Sequence, residues 1–209
     1  MTFKPFDPNA ETVKREHNLP HWRQDGTTYF ITFRLADSLP KEKLAAMAEE
    51  QLRWLSLHGL RAVEELPRLA PERQREYRRM FDAKFHALLD AGYGACWLRH
   101  PDAARAVTDA LTFFDTQRYA LDEWIVMPNH VHAIVSPFDG WELSSILHSW
   151  KSFTAKQVNR IVDRSGTLWQ DESFNHIVRS EEHLDAFRRY IRANPAKAGL
   201  RPGEYLARV

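Results

Sequence analysis

The sequence predicts an α+β fold in which a mostly antiparallel sheet carries helices on its faces. Strand-like alternation of β-branched and aromatic residues occurs at Thr27–Leu35 and on both sides of the Pro128-Asn129 break. Five longer stretches repeat apolar residues at helical spacing. The order β, two inserted helices, α, β, β, α, extended, α is that of a layered sheet-and-helix domain. At 209 residues, 44% apolar and 27% charged, the chain is long enough for one sizeable core. It is read as a single domain over residues 1–209 with a helical insertion at 41–95.

Residues 1–26, with Pro5, Pro8, Pro20 and Gly26, read as an extended arm along the sheet edge. In the first strand Tyr29, Ile31 and Phe33 share a face. Asp37-Ser38-Leu39-Pro40 ends it and is expected to cap a helix from Lys41 to about Leu60. Pro67 and Pro71 separate that helix from a second one carrying Tyr77, Met80, Phe81, Phe85, Leu88 and Leu89. The charged surroundings make this pair a hairpin with one wet face, read as an elaboration rather than part of the functional centre. His100-Pro101-Asp102 opens a helix to Phe114, and Arg118–Val126 returns as a strand. After the central hairpin, Trp141 to about Val162 is an amphipathic helix with the stripe Ile146, Trp150, Phe153, Gln157, Val158 and Ile161. Thr167–Arg179 is extended, with short strands near Leu168-Trp169 and His176–Val178. Ser180 caps a last helix expected to end or kink at Asn194, since Pro195 disfavours the α conformation for the residue before it.

The second strand of the central hairpin, after Trp124-Ile-Val-Met-Pro-Asn129, carries His130 and His132. Alternation puts both imidazoles on one face, roughly 6.6 Å apart along the strand, where one cation can be held between them. With 10 His in 209 residues, a His-x-His triplet arises by chance about half a time, so context must decide. In the last helix Tyr190 and Asn194 lie i,i+4 on one face. Cys96 is the only cysteine, which excludes an internal disulfide and a thiolate metal cluster. Net charge is +1, yet residues 141–209 hold 11 Lys/Arg against 8 Asp/Glu, with Lys151, Lys156 and Arg160 along one helix. No apolar run reaches membrane-spanning length, and the start of the chain lacks the apolar core of a signal peptide, so a cytoplasmic location is expected.

Taken together, Met127-Pro128-Asn129-His130-Val131-His132, Trp150-Lys151-Ser152-Phe153-Thr154, Leu168-Trp169-Gln170, His176-Ile177-Val178-Arg179 and Tyr190-Ile-Arg-Ala-Asn194-Pro-Ala-Lys-Ala-Gly-Leu200 closely resemble the single-tyrosine HUH transposases. The nearest branch is the one associated with repetitive extragenic palindromes. The similarity runs from about Tyr29 to Leu200, with the 41–95 hairpin as an addition. It implies a ferredoxin-like or RNA-recognition-like sheet. It also implies His130, His132 and Asn194 as ligands of Mg²⁺ or Mn²⁺, and Tyr190 as the nucleophile that cuts single-stranded DNA through a 5′-phosphotyrosine intermediate. His176 is a candidate for active-site support, and Lys151, Lys156 and Arg160 are candidates for DNA contact. The DNA partner would include hairpin-forming palindromic repeats, and the protein would act as a monomer or homodimer. Because every matched catalytic residue follows residue 95, deleting the hairpin is expected to leave the centre intact.

The residues also fit a water-using metal-dependent phosphoesterase and a non-catalytic nucleic-acid-binding relative. Histidine-triad hydrolases require a further His where this chain has Ile134, so that class is excluded.

Overall fold

The structure is a computed structural model that describes residues 3–6, 13–16, 20–23 and 26–209. Two short strands, β1 (Val13–Glu16) and β2 (Pro20–Arg23), pair antiparallel as a small sheet. The segment read as an extended arm therefore contains a short two-stranded sheet, and residues 1–2, 7–12, 17–19 and 24–25 lie outside the described residues. The main sheet combines β3 (Tyr29–Arg34), β4 (Tyr119–Val126), β5 (His130–Pro137), β6 (Phe174–Ile177) and β7 (Leu206–Arg208). Its order is β6-β3-β5-β4-β7 and every neighbouring pair is antiparallel. With its helices this makes an α+β architecture, as the element order predicts.

Strand alternation gives the sheet two apolar faces. Tyr29, Ile31 and Phe33 face α3 (Pro101–Phe113) and α4 (Leu143–Ile161), packing among Val107, Leu111, Ile146 and Trp150. Phe30, Ile125 and Ile134 face α5 (Glu181–Lys197) through Leu184 and Ile191. A third cluster (Leu55, Leu60, Leu66, Tyr77 and Phe81) joins α1 (Lys41–Leu57) to α2 (Pro71–Asp90) across a short 3₁₀ segment, Val63–Arg68. Among the described residues no helix is long and apolar enough to cross a membrane.

Three local expectations are corrected. Pro40 occupies the N-cap of α1 and no side chain caps the helix. Asp37 instead accepts the Ala95 backbone N–H at 2.9 Å, and Ser38 donates to the Leu35 carbonyl at 2.7 Å. Phe153, assigned to the core stripe of α4, is 50% exposed. Finally, α5 does not stop at Asn194 but runs through Pro195 to Lys197. The extra turn closes through Ala198 N–H to Asn194 O and Leu200 N–H to Pro195 O, each within 3.0 Å, so the cost of the missing proline donor is contained.

Trp150 lies in the core as a donor, its Nε1–H reaching Tyr119 Oη at 2.9 Å, while that hydroxyl donates to Leu111 O at 2.8 Å. Tyr119→Phe would leave a buried indole N–H and a carbonyl without partners. The expected loss is about 1–3 kcal/mol of stability, read as a lower urea midpoint with unchanged slope.

Candidate catalytic centre

β5 delivers the two histidines. The β3–β5 register sets Thr32 opposite His132 and Arg34 opposite His130, so all four side chains project toward the face that α5 covers. Both imidazoles are fully buried, and their Nε2 atoms are 3.0 Å apart. The protonation of His130 is fixed by its neighbour. Asn129 Nδ2 donates to the carbonyls of Leu89 and Tyr93, each at 3.2 Å, so Asn129 Oδ1 must be an acceptor. His130 Nδ1–H donates to it at 2.7 Å, which leaves a bare lone pair on Nε2. His132 Nδ1 is 2.7 Å from Thr32 Oγ1, so its Nε2 likewise faces the pair. Desolvation, reinforced by the other histidines, pushes His130 down to about 3 and His132 well below the ordinary imidazole value. Both rings are therefore uncharged at neutral pH, the form in which an imidazole can bind a metal.

α5 supplies the other half. Its position on β4 is fixed by two ion pairs: Arg188 Nε with Asp122 Oδ2 at 2.8 Å, and the Arg192 guanidinium with both oxygens of Glu123. Adjacent strand residues normally point to opposite faces. Here the register shifts between Leu121 and Trp124, and this bulge lets both carboxylates reach α5. Tyr190 Oη then lies 3.5 Å from His132 Nε2 and accepts from Asn194 Nδ2 at 3.1 Å. Asn194 is fully buried, and among the described residues its Oδ1 has no hydrogen-bond partner. The His130 Nε2 lone pair, the adjacent His132 Nε2 and an orphaned amide oxygen are donor types that fit a divalent cation, and Asn194 can be the third ligand. Among the described residues no three His, Cys, Asp or Glu side chains form such a site without it.

The structure brings His130, His132, Tyr190 and Asn194 together, as the sequence predicts. His176 is one strand further out. It is paired with Phe30, whose ring stacks against His132, and its Nε2 lies 3.8 Å from Asp82. Lys151, Lys156 and Arg160 lie on α4, which packs on the opposite face of the sheet. Lys151 Nζ is occupied by the Gln170 and Asp171 carbonyls at 2.6 and 2.7 Å, and Arg160 pairs with Gln157.

Sequence reasoning misses two neighbours on α2. The His86 ring is 5.1 Å from that of Tyr190, and burial lowers its pKa to about 4. Asp90 Oδ1 accepts from Asn194 Nδ2 at 3.0 Å and lies 3.9 Å from His130 Nε2. The hairpin is thus in contact with the centre, which weighs against the expectation that removing it would leave the centre intact. The signal was present in sequence, since His86 and Asp90 are i,i+4 on one face of an otherwise core-forming helix. Two cations lie near the centre, Lys197, with its Nζ 5.0 Å from the centre of the Tyr190 ring, and Arg99, whereas Arg34 turns its guanidinium to Ser38 Oγ at 3.2 Å. Arg99 lines a cleft of about 80 Å³ with Asp90, Asn129, His130 and Leu200.

Burial dominates the Tyr190 hydroxyl and, with the Asp90 charge, raises its pKa well above the ordinary phenol value. His86, His130, His132 and His176 all have folded-state pKa values below the unfolded value near 6.5, so they resist protonation only in the native state. Stability is therefore full above pH 6.5 and lost as pH falls toward 4. Asp82, raised by burial to about 6, and Asp90, also raised by burial, act in the opposite direction over part of that window. Four groups outweigh two, so the metal-free melting temperature is expected to fall steadily between pH 6.5 and 4. A flat profile would contradict the burial of these rings.

A family model described as "Transposase IS200 like" matches residues 79–194, a span that includes the second half of α2, the HUH strand and α5 as far as Asn194. The match begins inside α2, so the matched span includes the segment bearing His86 and Asp90. A REP-associated tyrosine transposase bound to a REP hairpin aligns with 87% of this chain and 75% of its own, at 17% identity and a TM-score of 0.44. A protein of Deinococcus radiodurans R1 assigned as a transposase aligns with 92% of this chain and 98% of its own, at 12% identity and a TM-score of 0.29. No curated protein matches the sequence. On the match to more than half of its length, the chain belongs to the IS200-like transposase family.

Proposed function

We propose that the protein nicks and rejoins single-stranded DNA by transesterification, with Tyr190 as nucleophile. The observation that carries this reading is the position of the Tyr190 hydroxyl, 3.5 Å from His132 Nε2 and hydrogen-bonded to Asn194, at the edge of a site suited to a divalent cation. The phenol oxygen forms a bond to phosphorus, the bond from phosphorus to the 3′ oxygen breaks, and that oxygen takes up the proton the phenol gives up. The products are a 5′-phosphotyrosine and a 3′-hydroxyl, which can reverse the attack and rejoin strands without an external energy source.

The chain's own residues orient and select. The Asn194 amide N–H holds the phenol oxygen, and its Oδ1, with His130 and His132, would hold Mg²⁺ or Mn²⁺; imidazole donors favour Mn²⁺. A buried phenol with a raised pKa is a weak nucleophile at neutral pH, and a bound cation would supply the charge that favours phenolate and offsets the phosphate's negative charge. Arg99 and Lys197 are placed to meet phosphates near the centre. Lys156 and Arg160 could touch DNA only on the far layer. On the sequence resemblance, the substrate is the single-stranded flank of a hairpin-forming palindromic repeat.

Tyr190→Phe keeps the ring and its packing against Phe30 and His86. It is expected to abolish cleavage while changing affinity for single-stranded oligonucleotides by less than about threefold, under 1 kcal/mol. Cleavage persisting at the wild-type rate would mean that water, not the tyrosine, attacks.

A further inference from the structure

Asp90 stands at the end of α2, outside the HUH strand and the tyrosine helix, yet it makes a polar contact with the group that completes the cation site. Its Oδ1 is 3.0 Å from Asn194 Nδ2, and its side chain is 13% exposed. The contact is decisive because of amide chemistry. An asparagine amide can be turned over, exchanging its oxygen and nitrogen, and only its partners determine which way it faces. The other partner, the Tyr190 hydroxyl, can accept or donate, so it tolerates either orientation. A carboxylate only accepts. It therefore holds the –NH₂ of Asn194 toward α2 and leaves Oδ1 as the end that is buried, without a partner among the described residues.

The position of Asp90 is itself enforced. Leu89 is fully buried beside it, and the Leu89 and Tyr93 carbonyls are gripped by Asn129, the residue that also fixes His130. The carboxylate also lies 3.9 Å from His130 Nε2, so it places a negative charge beside a site otherwise made of neutral donors.

We propose that Asp90 is a positioning residue for the cation site: by accepting from the Asn194 amide it commits the amide oxygen to the metal, and so makes the inserted hairpin part of the catalytic apparatus. This rests on the cation reading of the preceding section. The partner of a metal ligand, when removed, typically costs about 10–100-fold in metal affinity. In the Asp90→Asn variant the new amide can donate to Asn194 Oδ1 and stabilise the turned-over orientation, so even this near-isosteric change disarms the site.

The test titrates Mn²⁺ alone into the full-length protein, following bound metal by calorimetry and free Mn²⁺ by electron paramagnetic resonance, with no DNA and no turnover. Wild type, Asp90→Ala, Asp90→Asn, Asn194→Ala, the Asp90→Ala/Asn194→Ala double variant and His132→Ala are compared, with near-ultraviolet circular dichroism as the folding check. Asp90→Ala and Asp90→Asn are each expected to weaken Mn²⁺ binding at least about tenfold. In the Asn194→Ala background, Asp90→Ala should cost less than about threefold more, because the amide through which it acts is gone. If Asp90→Ala does not fold, the Asp90→Asn result decides. Wild-type affinity in folded Asp90→Asn, or a full additional loss in the double variant, overturns the positioning role while leaving the cation reading intact, provided His132→Ala still loses the metal. A wild-type protein that binds no Mn²⁺ overturns both.

Discussion

The geometry of the centre depends on one buried asparagine. Asn129 is 1% exposed and uses both ends of its side chain at once. Its amide nitrogen joins the β4–β5 turn to the carbonyls at the end of α2, and its amide oxygen fixes the ring of His130. Each bond constrains the others. Because the nitrogen is committed to two carbonyls, the oxygen can only accept, His130 must carry its proton on Nδ1, and the Nε2 lone pair is aimed at His132. The interaction that docks the α1–α2 hairpin is thus also the one that sets the protonation of His130. Deleting a buried group with three partners strands each of them away from water, a cost of about 1–3 kcal/mol apiece.

On the other side of the cleft the constraint is electrostatic. The bulge in β4 turns Asp122 and Glu123 toward α5, where Arg188 and Arg192 meet them. Arg192 contacts Glu123 through two guanidinium nitrogens, and the carboxylate is largely buried, so this pair contributes geometric specificity that a surface pair would not. With the helix axis set, the i,i+4 relation carries Tyr190 and Asn194 into register with the histidines. The centre is assembled from three elements, β5, α5 and α2, each held by its own anchor.

What could be read from the sequence followed from short-range periodicity. The two-residue repeat of a strand put His130 and His132 on one face, and the helical repeat aligned Tyr190 with Asn194, because these depend only on backbone geometry. Trp150 was correctly placed in the core. Contacts that depend on packing between distant elements were not legible. Asn129 reads as a turn residue, and nothing local reveals that its partners are Leu89 and Tyr93. His86 and Asp90 share one face of a helix in the sequence, but nothing local reveals that tertiary packing turns that face onto the centre. Lys151 reads as a candidate DNA contact, but the Gln170–Asp171 carbonyls capture it. Pro195 reads as a helix stop or kink, but neighbouring backbone bonds carry the helix one turn past it.

The central claim is that a tyrosine oxygen, and no water, attacks phosphorus at this centre. The most direct measurement follows the two ends of a single-stranded oligonucleotide taken from a palindromic repeat flank, labelled at its 3′ end in one sample and its 5′ end in another. Each is incubated with protein and Mn²⁺, separated on a denaturing gel, and the adduct is digested and mapped by mass spectrometry. Only the 3′-labelled fragment is expected to migrate with the protein, and the modified peptide should contain Tyr190. Two free fragments with no adduct, or protein attached to the 5′-labelled fragment, would contradict it.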